Sequence, residues 1–162
     1  MAEGNNFSHF DASGNARMVD VGSKNETSRE AIAAGTVIMD SETFRMVQEG
    51  TAAKGDAIGV ARIAGIMAAK KVDSFIPLCH PLMISSVVID FKFLDDGRSI
   101  GIEAKVACKG QTGVEMEALS AVSVAALTLY DMCKSVDKGI VISDIRLLQK
   151  SGGKSGIFVR EQ

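Results

Sequence analysis

The chain has 162 residues, enough for one domain with a real core and short for two. Lys and Arg number 18 against 20 Asp and Glu, a net charge of −2, so no global positive field exists to hold nucleic acid or an anionic membrane. With seven Phe, one Tyr and no Trp there is little for base-stacking platforms, and any anionic ligand has to be held by a local basic cluster.

Residues 1–15 are polar, rich in Asn, Ser and Gly, and lack an apolar targeting core; they read as a flexible arm ahead of a single domain at 16–162. Within 16–39, TVIM at 36–39 has the pattern of a strand. The stretch 41–50 predicts a short helix, with Asp40 or Ser41 as cap and Gly50 as stop. Asp56 can cap the next helix, over 57–71. Its Ala, Gly, Ile and Val content predicts a backbone lying close to a neighbour, which offsets the roughly 1 kcal/mol that each helical Gly costs.

The clearest β signal is 84–106. Val87, Ile89, Phe91 and Phe93 alternate with Val88, Asp90, Lys92 and Leu94; after Asp96-Gly97 the alternation resumes at Ile100. Asp-Gly between alternating runs predicts a hairpin. A long helix follows over 114–137, with Thr112 and Glu115 as a capping box. No charge occurs from 118 to 130, so this helix should be buried on nearly every side, and one small domain rarely does that alone. Strands are expected at 139–149 and 156–160. The order predicts an α+β fold, an antiparallel sheet with helices packed on one face.

Chemistry-bearing residues are scattered. Asp131, Lys134 and Lys138 share a helix face by their spacing; the plainer reading is a surface ion pair near a helix C-terminus. KGQTG at 109–113 leads into a helix N-terminus, where free N–H groups suit an anion, though Glu115 and Glu117 already bring negative charge. KSGGKSG at 150–156 is no phosphate-binding P-loop, because Leu148 stands where that motif needs Gly; it remains a Gly-Ser turn carrying Lys150 and Lys154. In PLCHPL, Pro77 and Pro81 stiffen a loop that presents Cys79 and His80. Lys54 precedes a helix. Cys79, Cys108, Cys133, His9 and His80 lack metal-ligand spacing, so no metal is expected. An odd number of Cys without a signal peptide predicts a reduced, cytoplasmic protein. The set suits a small, highly anionic compound on which protons must move.

ARMVDV at 16–21, KGDAIGVARIAGI at 54–66, IPLCHPLM at 76–83, KGQTGVEMEALSAVSVAALTLYDMCK at 109–134 and LLQKSGGKSG at 147–156 together resemble the cyclic pyranopterin monophosphate synthases, the C-protein family of molybdenum cofactor biosynthesis. The resemblance implies a ferredoxin-like α+β fold and a homohexamer, a trimer of dimers with the active site between subunits. It implies a lyase that turns a cyclic 3',8-dihydro-GTP into a cyclic pyranopterin phosphate with release of pyrophosphate, with no cofactor. By the same resemblance Asp131 is the acid/base group, with Lys134 and Lys54 beside it. Leu78, Cys79, His80, Met116 and Glu117 would bind substrate, as would Lys150, Arg29 and Lys154. Two rival readings use the same residues: a non-catalytic oligomer that senses purine triphosphates, and an assembly protein whose loops are all subunit contacts.

Overall fold

β1 (Thr27–Ile38) is the strand around which the sheet forms. From Arg29 to Val37 every second residue is buried, while Glu30, Ile32, Ala34 and Thr36 on the other side are half-buried. It pairs antiparallel with β3 (Ser99–Gly110) on one side and β4 (Val141–Ser151) on the other. The strand is three times longer than the TVIM signal promised. Its Ala-Ile-Ala-Ala-Gly run has little β-propensity, and two hydrogen-bonding neighbours impose the conformation. A computed structural model, the structure describes residues 9–11, 13–51, 55–154 and 156–161.

β2 (Ile84–Phe93) and β3 form the expected hairpin. Gly97 takes φ 68°, and the Asp96 carboxylate accepts from Ser99 N at 2.9 Å and from Ser99 Oγ at 2.5 Å, which closes the turn. With β5 (Phe158–Val159) the strand order is β2-β3-β1-β4-β5.

α1 (Ser41–Gln48) is capped by Asp40, whose side chain accepts from Thr43 N at 2.7 Å. α2 (Ala57–Ala69) is capped by Asp56, which accepts from Gly59 N at 2.8 Å. α3 (Glu115–Cys133) crosses β1, β3 and β4, and α2 lies beside it over β2. The run β1-α2-β2-β3-α3-β4 with this strand order is the ferredoxin-like arrangement, with the helices on one face of the sheet.

Small residues let these layers meet closely. A Cβ on Gly65 would stand 2.5 Å from Ile89 Cδ1 and 2.8 Å from Ala121 O; one on Gly35 would stand 2.7 Å from Val122 Cγ1. Between helices and sheet lie Ile89, Ile100, Ile102, Val106, Val122 and Leu129, each at most 2% exposed.

The ends of α3 differ from expectation. Val114, not Thr112, holds the cap position, and no side chain caps it. Glu115 is therefore the first helical residue, too near the end to fold back, and its carboxylate reaches Lys150 instead. The helix stops at Cys133 with Lys134 as its C-cap, and Val136 N donates to Cys133 O in a tighter closing turn. Nor is it enclosed on every side. Leu127 is 57% exposed, and Val60, Ile63 and Met67 make an exposed apolar stripe on neighbouring α2. By length and apolar content α3 would serve as a membrane span, but half of it is buried, and it is the core helix of this domain.

Candidate active site

Four segments converge at the N-terminal end of α3. The turn at 110–114 leaves β3 and enters the helix. The loop of Leu78, Cys79 and His80 comes up beside it. The segment 19–25 and the turn at 151–154 close the other sides.

They enclose a first cavity of about 400 Å³. Leu78, Cys79, His80, Met116 and Glu117 all line it, so residues expected from distant motifs stand together. Glu117 is 4% exposed; burial pushes its carboxyl up from 4.5 to about 7, and the negative charges of Glu115 and Asp73 add to the effect. The group exchanges a proton near neutral pH. Burial also raises the thiols of Cys79 and Cys108, reinforced in both by the Glu117 charge, which disfavours the thiolate that a nucleophile needs.

A second cavity of about 710 Å³ adjoins the first. Arg29, Lys150, Lys154 and Lys24 line it, together with Gly152 and Gly153. Arg29 is 9% exposed and braces its wall: Nε donates to Gly110 O and Nη2 to Gln111 O, both at 3.3 Å. Gly153 has φ 72°, and any Cβ there would overlap the guanidinium, so only Gly lets this turn lie against Arg29. Lys150 Nζ is 2.7 Å from Glu115 Oε1, and both side chains are about one-third exposed or less. Thr27 also lines this cavity, and its Oγ1 is buried with no hydrogen-bond partner among the described residues.

Lys24, Thr112, Gly113 and Glu115 border both cavities, so the two are compartments of one cleft. Sequence reasoning passed over Lys24, His9 and Thr27. Lys24 sits three residues past the ARMVDV motif in a Gly-Ser turn, the only signal available for it; His9 was assigned to the arm, yet it lines the first cavity. The described part of that arm forms a turn, with Phe10 bridged to Ala16. Lys54 lies outside the described residues.

Asp131 and Lys134 are elsewhere. They occupy the C-terminal end of α3, where Lys134 Nζ is 2.7 Å from Asp131 Oδ1, with side chains 50% and 57% exposed. The hydrogen bond to Asp131, then its charge, raises the Lys134 ammonium above the ordinary lysine value. Lys138 falls beyond the helix and does not extend the pair along a helical face. Among the described residues no three His, Cys, Asp or Glu side chains are grouped to hold a metal ion.

The model of the MoaC family matches residues 18–153. The chain belongs to the MoaC family. Among its relatives is the cyclic pyranopterin monophosphate synthase of Heliobacterium modesticaldum, 57% identical over 156 residues, which are 96% of this chain and 98% of that protein. The enzyme of the same name from Clostridium botulinum is 56% identical over 157 residues, covering 97% and 99% of the two chains. That from Desulforamulus reducens is 58% identical over 155 residues, covering 96% and 94%. The segment matched by the MoaC model takes in most of both cavities and the Asp131–Lys134 pair, and leaves out His9 and Lys154.

Proposed function

We propose that this chain is itself a cyclic pyranopterin monophosphate synthase, a lyase that converts cyclic 3',8-dihydro-GTP to cyclic pyranopterin monophosphate with release of pyrophosphate in molybdenum cofactor biosynthesis. The observation that carries the reading is the two-compartment cleft. One compartment offers a buried carboxyl, and the other gathers Arg and Lys from three segments. A nucleoside triphosphate has those two halves, a polar flat base and a chain of negative charge.

In the first compartment Glu117 meets the amino-pyrimidine edge of the base. Its pKa near 7 lets it accept a hydrogen bond when ionised and hold a proton when not. Leu78, Cys79, His80 and Met116 form the surrounding walls. In the second compartment Lys150, Lys154 and Arg29 neutralise the triphosphate and then the departing pyrophosphate. Asp131 is the acid/base group of ring opening and pterin closure, with Lys134 beside it as ammonium and Lys54 as a further cation.

One chain cannot assemble this set, since Asp131 and Glu117 sit near opposite ends of α3. We read the active site as lying between subunits, and the assembly as the homohexamer, a trimer of dimers, that the family resemblance implies. Two apolar surfaces support such an assembly: the stripe of Val60, Ile63 and Met67 with Leu127, and the uncovered sheet face bearing Ile32 and Ala34. A trimer of dimers needs two different interfaces of this kind.

The test is to incubate the purified protein with cyclic 3',8-dihydro-GTP and follow pyrophosphate release together with pterin absorbance. Stoichiometric appearance of both is expected. Failure to release pyrophosphate from authentic substrate would end the proposal.

A further inference from the structure

Lys24 stands where the two compartments meet, and its backbone carbonyl accepts from the Gln111 side chain. The segment 20–24 holds its own turn: Gly22 N donates to Asp20 Oδ1 at 2.8 Å and Lys24 N donates to Val21 O at 2.9 Å. What ties this turn to the 110–114 turn is the carboxamide of Gln111. Its Nε2 donates to Lys24 O at 2.9 Å and lies 3.5 Å from Gly22 O. Gln111 is itself fixed from behind, because its carbonyl accepts from Arg29 Nη2. A chain of contacts thus runs from buried Arg29 through Gln111 to the backbone that carries Lys24.

We propose that Gln111 is a positioning residue, which sets the Lys24 ammonium at the junction of the two compartments so that Lys24 binds the phosphoryl group nearest the nucleoside. The inference rests on the two-compartment reading above and extends it to two residues not yet given a role. The junction is where a base-and-triphosphate ligand passes from its uncharged half to its charged half. A cation held there recognises the first phosphate, while Lys150 and Lys154 line the charged compartment only. An unfixed Lys24 would still be attracted to the ligand but would lose the ordering already made for it.

The experiment compares wild type with Gln111→Met, which keeps side-chain length and removes the donor, with Lys24→Ala, and with the double variant. Steady-state kinetics on cyclic 3',8-dihydro-GTP should show KM for Gln111→Met raised about fivefold, the worth of one hydrogen bond, with the loss falling on KM and not on kcat. The double variant should be no worse than Lys24→Ala alone, because Gln111 acts through Lys24. A wild-type KM in Gln111→Met, or losses that multiply in the double variant, would overturn the proposal. If wild type fails to turn over the substrate, the functional reading falls separately. The same four proteins titrated calorimetrically with pyrophosphate then decide the Gln111–Lys24 coupling through Kd.

Discussion

Glu117 and Asp131 belong to one helix, yet fourteen residues separate them, about 21 Å of helical rise. Glu117 is buried at the cleft and Asp131 is exposed at the far end beside Lys134. No side-chain rotation spans that gap. If one substrate meets both groups, they come from different copies of the chain. Mixing His80→Ala and Asp131→Asn proteins, each first shown to be inactive alone, under conditions of subunit exchange should then restore part of the activity, since some sites receive an intact half from each parent. Persistent inactivity, with exchange demonstrated by mass spectrometry, would count against a shared site.

Asp131→Asn should reduce pyrophosphate release by about 10²–10⁴-fold, the usual worth of general acid–base catalysis. The residue is exposed and pairs with Lys134 on the surface, so the fold should survive. Circular dichroism and the melting temperature check the fold; near-wild-type turnover would remove Asp131 from the chemistry.

Glu117→Gln should change the pH dependence of stability. The folded carboxyl holds its proton to about pH 7, whereas the unfolded one loses it near 4.5. Between those values the native state binds more protons, so wild-type stability falls as pH rises through the window and levels off above it. Gln carries no such burden. From pH 5 to pH 8 the variant should gain about 2 kcal/mol on wild type, read from denaturant melts in the absence of ligand. A gap that stays constant across the two pH values would refute the buried, desolvated carboxyl.

Gly65→Ala tests the close approach of α2 to α3. The added methyl would meet Ala121 O at 2.8 Å and Ile89 Cδ1 at 2.5 Å. Overpacking costs about 1–3 kcal/mol, and better helix propensity returns about 1. The melting temperature should fall by a few degrees; a rise would mean that the helices are free to part.

Much of the local structure was legible in the chain itself. Asp40 and Asp56 cap their helices because a short acidic side chain before an apolar run satisfies free N–H groups, and that chemistry is local. Asp96-Gly97 turns the hairpin for the same reason. The cap of α3 was not legible. Thr112 and Glu115 have capping-box spacing, but the carboxylate found an ammonium thirty-five residues away, a stronger partner than a backbone N–H. Lys24 was invisible too, since nothing about a lysine in a Gly-Ser turn says which cavity it will border.

The sequence by itself determined the elements, their order and the α+β class, because period, caps and turn residues act over a few positions. It also carried the motifs that mark the family. Only the tertiary structure decided that Leu78–His80 and Met116–Glu117 share a wall, that the Gly152-Gly153 turn lies against Arg29, and that Asp131 lies far from both within one chain. Those relations depend on strand register and helix placement, which arise from packing summed over the whole core and not from any local stretch of residues.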